Sequence, residues 1–305
     1  MLSNSGLVAA EPYAFITNQL DNSVSVIDTQ SLKVLKELSV KGKPAGVAVN
    51  NVTSQVYIST PNGGGFAVLD AKKLEQTGFV KVGGASLGIA ADAKGELVFV
   101  ADWYENTVSV FNAQPLKLVK TIKVGKSPSG MMASLDNQWL YVANRVDNTI
   151  SQVDLKTLKI RNTTKVGTHP FGLSVDKKGQ RIYTANVESD DVTILESSHL
   201  KNLKTIKVGS RPYATSLALN DSLLFVTNQD DSTVSVIDTE TTEVVKEIEV
   251  GEKPEGISTH PDDQHVYVAN WFDSTVSVID AKTLNVVETI ETGEGSRAFG
   301  LFISK

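Results

Sequence analysis

Between Gly256 and Glu291, apolar and polar positions fall into short runs separated by turn-forming residues. Val266, Tyr267 and Val268 form a β-branched and aromatic run ending at Asn270, and Val276 and Val278 flank Ser277 with a period of two. Runs of this length and bias, bounded by Pro, Asp, Asn and Ser, predict β-strands rather than helices. The stretch reads as four strands: GISTH (Gly256 to His260), HVYVAN (His265 to Asn270), TVSVID (Thr275 to Asp280), and VVETIE after the AKTLN turn.

The same pattern occurs seven times. YAFITNQLDNSVSVID ends at Asp28, QVYISTPNGGGFAVLD at Asp70 and LVFVADWYENTVSVFN at Asn112. The equivalent runs end at Asp154, Glu196, Asp238 and Asp280, each stop 42 residues after the last. A period near 40 residues with several short strands per unit is the mark of a propeller blade. The fold class is therefore all-β, a seven-bladed β-propeller of four-stranded antiparallel blades. The chain enters mid-unit at Tyr13 and ends in FGLFIS, which matches PFGLSV at Pro170–Val175. The C-terminal strand is thus expected to complete the N-terminal blade as its innermost strand, closing the ring and covering edges that would otherwise aggregate. Residues 1–12 are expected to be a tail and 13–305 a single domain.

Most polar residues of the unit have a scaffold explanation. Asn18, Asp102, Asn144, Asn186, Asn228 and Asn270 end the second strand, and short Asx side chains stabilise turns. The linker into each innermost strand is Val-Gly-x-x-Pro-x-Gly, as at Val250–Gly256. Its second glycine permits close backbone approach near the axis, and its proline needs no amide partner. These glycines precede strands, whereas a phosphate loop opens a helix.

Composition narrows the function classes. Cysteine is absent, which excludes disulfides, thiol catalysis and thiolate zinc sites and fits an oxidising compartment. Net charge is −6, from 29 basic and 35 acidic residues, and this disfavours nucleic acid as a partner. No apolar stretch approaches the roughly 18–20 residues of a membrane span. The start, MLSNSGLVAAEP, lacks the basic region of a secretory signal; a processing remnant is one reading of it. No zinc HExxH, nucleophile elbow or haem-attachment pattern occurs, and no cofactor or metal is expected.

YVAN and FVTN, then TVSVID, then VGxxPxG, resemble the YVTN-type β-propeller repeat over roughly residues 13 to 304. That resemblance implies an exported protein, periplasmic or at the cell surface. Similar propellers serve as surface-layer proteins, enzyme subunits and a lyase, so function must be read from a site and not from the fold.

The informative residues are those that the repeat leaves free. Before the linker proline or its equivalent stand Lys43, Ser127, His169, Arg211 and Lys253, with Arg297 in the last unit; these are expected to rim the funnel with positive charge. After it stand Ala45, Leu87, Ser129, Phe171, Tyr213, Glu255 and Phe299. The hairpin tips carry Trp103-Tyr104 and Trp271-Phe272, four units apart. Large aromatics at tips are enriched in recognition surfaces. Units one and two depart from the pattern, with the glycine tip PNGGGF and with Ser86 in place of the proline. Trp103, Tyr104, Trp271, Phe272, Arg211, Tyr213, His169 and Arg297 are the candidate binding residues, with no catalytic set. The expected role is non-catalytic binding or scaffolding by a monomer that recognises a protein or small ligand on its funnel face. The alternatives are an enzyme, such as a lyase or dehydrogenase component, and a cofactor-dependent electron-transfer partner.

Overall fold

The computed structural model describes residues 12–305, and the expected tail, apart from Pro12, lies outside them. Twenty-eight strands and no helix are present among the described residues. Blade 1 comprises Gly46–Asn50, Gln55–Thr60, Gly65–Asp70 and Glu75–Lys81. Blades 2 to 6 repeat this order from the innermost strands Ser86–Ala91, Pro128–Ala133, Pro170–Val175, Pro212–Ala218 and Pro254–Thr259. Blade 7 contains Tyr13–Asn18, Ser23–Asp28 and Lys33–Ser39. Among the described residues no helix is long and apolar enough to cross a membrane.

Each blade is layered from the axis outward. The second and third strands are buried along nearly their whole length, because neighbouring blades cover both of their faces. Tyr57, Tyr141, Tyr183 and Tyr267, at one position of the second strand, fill the wedge between blades. Five of the seven outermost strands show one buried residue near their ends, such as Leu38, Ile122 or Ile290, and all are otherwise mostly exposed, with Lys or Glu among the exposed residues of each. A register shift between third and fourth strands recurs in every blade. Charge and bulge together protect an outer edge from pairing with another chain.

The recurrent polar residues are consumed by this scaffold. Asn270 Nδ2 donates to Thr275 Oγ1 at 3.0 Å and Ser277 Oγ at 2.9 Å, and Asn18, Asn144 and Asn228 make the same pair of bonds. Hairpin residues also bind the linkers on either side: Asp147 Oδ2 accepts from Lys126 N at 2.8 Å and Asn148 Oδ1 from His169 N at 2.9 Å. The acidic stops accept backbone amides of the turns that follow. These bonds hold the carboxyls of Asp70, Asp154, Asp238 and Asp280 below the usual range.

The ring closes as the repeat implies. Phe299–Leu301 pairs in parallel with Gly46–Ala48, and the last residues pair antiparallel with Tyr13–Asn18 through an Ala14–Ile303 bridge. Phe15 N donates to Phe302 O at 2.8 Å and Ser304 N to Tyr13 O at 2.9 Å. Phe302 is fully buried. Removing a buried Phe side chain costs about 3–5 kcal/mol, so Phe302→Ala should lower stability by that amount in urea melts, and deletion of residues 301–305 by more. A truncated chain that melts at the full-length temperature would contradict closure.

Candidate functional site

The innermost strands converge so tightly that a Cβ on Gly88 or Gly130 would overlap the carbonyl oxygen of Ser129 or Phe171. This leaves an axial channel of only about 50 Å³. Its funnel end is closed by an apolar plug of Ala45, Phe171, Tyr213 and Phe299, with Leu87 and Trp103 against it. Phe171 stacks on Tyr213 at 4.1 Å and meets Phe299 edge-on at 5.3 Å. The residues after the linker proline are therefore mainly packing residues.

Above the plug opens a cavity of about 410 Å³. Its lining comes almost entirely from three repeat positions: the residue before the linker proline, the residue after it, and the first residue of the hairpin tip. The exception is Tyr104, the second tip residue. Blades 1 and 2 contribute an apolar and aromatic wall of Pro61, Ala85, Leu87, Trp103 and Tyr104. Blades 3 to 7 contribute Arg145, Arg211, Gln229, Glu255 and Arg297 above the Phe171 and Tyr213 floor.

The three arginines have different surroundings. Arg297 lies with Nε 2.5 Å from Glu255 Oε2, and its Nη2 donates to Tyr213 OH at 2.7 Å. Gln229 Nε2 donates to Glu255 Oε1 at 2.7 Å. Glu255 is only 4% exposed; burial pushes its carboxyl up, against the pull of Arg297 and Gln229. Burial pushes the Tyr213 phenol up to about 12. Burial opposes the charge on Arg297, but Glu255 and Tyr213 outweigh it and raise its pKa further. Arg211 Nη1 donates to Glu188 Oε1 at 2.7 Å.

Arg145 is the least satisfied of the three. Its side chain is 16% exposed, and its guanidinium lies 5.9 Å from the Trp103 ring centre and 6.0 Å from that of Phe171. Glu188 Oε1 stands 3.9 Å from Nη2, beyond hydrogen-bond reach, and the guanidinium donates to no described residue. Burial lowers its pKa from the usual arginine value, though the group remains charged.

Of the candidate residues, Trp103, Tyr104, Arg211, Tyr213 and Arg297 line this one cavity, and Trp271, Phe272 and His169 do not. Trp271 packs over Gly295, in the two residues by which the last linker exceeds the others, and its Nε1 is buried there without a partner. Phe272 points outward, 65% exposed. His169 sits at the rim with Nδ1 3.9 Å from Glu188 Oε1. The rim itself alternates in sign, because Glu188 stands between His169 and Arg211 and Asp230 between Arg211 and Lys253. His260 and His265 share Asp262 in a turn of blade 6. Among the described residues no group of three or more His, Asp or Glu is placed to hold a metal ion.

Sequence reasoning did not single out Arg145, Gln229 or Glu255. A signal existed for two of them: Glu255 is the one charge in a ring of otherwise uncharged residues, and Arg145 the one charge among the first tip residues.

A model of the YNCE-like β-propeller family matches residues 87–221 and 214–295. The chain belongs to the YNCE-like β-propeller family. No curated protein matches this family member. Among solved structures it is similar to Kuenenia stuttgartiensis hydrazine synthase, at 17% identity and a TM-score of 0.78, covering 92% of this chain and 99% of that one. It is also similar to a functionally unknown protein from Desulfotomaculum acetoxidans DSM 771, at 12% identity and a TM-score of 0.81 over 94% and 99% of the two chains. The dihydro-heme d1 dehydrogenase NirN in complex with DHE matches at 14% identity and a TM-score of 0.73, over 96% of this propeller and 76% of that chain. At these identities the likeness is one of fold.

Removing one partner of a buried ion pair costs about 3–5 kcal/mol, whereas an apolar replacement of both can be neutral. Arg297→Met and Glu255→Gln should each shift urea unfolding by that order, and Arg297→Met with Glu255→Met should recover most of the loss. Single variants as stable as the parent would show that the pair does not hold the cavity floor.

Proposed function

We propose that this propeller is an exported, non-catalytic binding protein that takes a small anionic ligand in its funnel cavity. The observation that carries the reading is Arg145, a largely buried side chain at the cavity wall whose guanidinium donates to no described residue. Desolvating a charge is costly, and a cation left without hydrogen bonds at a concave surface is repaid by an anion that supplies them. The cavity volume falls within the range of small-molecule sites, and its mixture of aromatic walls with a few convergent polar groups is their usual composition. The absence of cysteine supports the exported location.

Two of the fold relatives are named as enzymes, hydrazine synthase and a dihydro-heme d1 dehydrogenase. The binding reading is preferred because Glu255, the one carboxylate that lines the cavity among the described residues, is already engaged by Arg297 and Gln229. Among the described residues no histidine and no unpaired carboxylate lines the cavity.

Binding to the folded state alone raises stability by RT ln(1 + [L]/Kd), about 2.7 kcal/mol at a hundredfold excess over Kd. Thermal melts in acetate, citrate, phosphate and phenylacetate should show a rise of several degrees with at least one of them, and Arg145→Gln should lose it. No rise with any anion, or an equal rise in the variant, would refute binding at this cavity.

A further inference from the structure

The two walls of the cavity differ in character, and that difference specifies the ligand further, provided that the cavity binds an anion at all. We propose that the ligand is an amphiphilic monoanion: a carboxylate head joined by a short spacer to a flat apolar body. The head belongs on Arg145. Arg211 is bonded to Glu188 at 2.7 Å, and Arg297 lies 2.5 Å from Glu255, so Arg145 is the cavity guanidinium with no carboxylate within hydrogen-bond distance, and it calls for one negative charge. A carboxylate matches the planar fork of arginine with two parallel bonds.

The body belongs on the adjoining wall. Leu87, Trp103 and Tyr104 stand together there with Pro61, and Tyr104 is 73% exposed. A bare anion such as acetate would satisfy Arg145 and leave that wall in water. An aromatic body would cover it and gain from both area burial and ring stacking. The spacer is short because the two subsites touch: the Arg145 guanidinium lies only 5.9 Å from the Trp103 ring centre. A head on Arg145 and a body against Trp103 and Tyr104 thus fit one small molecule of the arylacetate kind.

The wall also accords with the uncharged linker residue of unit two. At the position before the linker proline, where five units place Lys43, His169, Arg211, Lys253 or Arg297 and one places Ser127, unit two has Ala85. A cation there would put a second charge where the apolar body lies.

Titration calorimetry on the full chain with phenylacetate, acetate and phenylacetamide separates the two subsites. Phenylacetate should bind at least tenfold more tightly than either acetate, which lacks the body, or phenylacetamide, which lacks the charge. Tyr104→Ser, at an exposed position where folding is safe, should weaken phenylacetate several-fold and leave acetate unchanged. Arg145→Gln should reduce phenylacetate to the level of phenylacetamide, and Arg145→Lys should restore part of the difference. If acetate binds as tightly as phenylacetate and still depends on Arg145, the anion site stands and the amphiphile is refuted. If phenylacetamide equals phenylacetate, or no probe binds, the anion site falls as well.

Discussion

Closure of the ring is the constraint on which the rest of the molecule depends. Six blades arise from consecutive sequence, but the seventh exists only because the last residues pair with Tyr13–Asn18. Until that pairing forms, the inner strands have no common axis, and the plug of Ala45, Phe171, Tyr213 and Phe299 joins blades that are distant in sequence. The segment that closes the ring also carries Arg297, whose backbone amide bonds Thr17 O at 2.8 Å while its side chain reaches Glu255 in blade 6 and Tyr213 in blade 5. One stretch of chain therefore completes the scaffold and builds the cavity floor. Anything that stabilises the floor also resists opening of the ring.

The repeat acts as a coordinate system for the site. Its polar residues are spent on holding hairpins to linkers, and its glycines on bringing inner strands together. Three positions per unit vary from blade to blade, and they supply most of the cavity lining. Seven blades offer twenty-one such positions, and their occupants give the cavity its aromatic side and its charged side. A new site could be composed on this frame by changing those positions alone, which accords with the separation of fold from function.

Much of the architecture was legible in the sequence because strand period, turn residues and 42-residue spacing all pointed one way. Blade number, strand order and closure follow from that agreement, and the glycines after the linker proline do serve close approach. The site was legible only in part. Trp103 and Trp271 are equivalent by repeat, yet one lines the cavity and the other packs over Gly295, and only the fold shows how the longer last linker covers Trp271. The rim cations read as a positive ring because their partners Glu188 and Asp230 lie in hairpins more than twenty residues away. Arg145 escaped notice for a related reason: a lone arginine at a tip reads as solvated until the structure shows aromatic rings beside it and no acceptor in reach.

Diffraction from crystals soaked with 4-iodophenylacetate tests most directly whether the funnel cavity reads an anion and an apolar body together. The iodine anomalous peak should lie in the cavity beside Leu87 and Tyr104, with the carboxylate density on the Arg145 guanidinium. A peak elsewhere on the surface, or carboxylate density on the rim lysines with Arg145 left bare, would contradict the assignment.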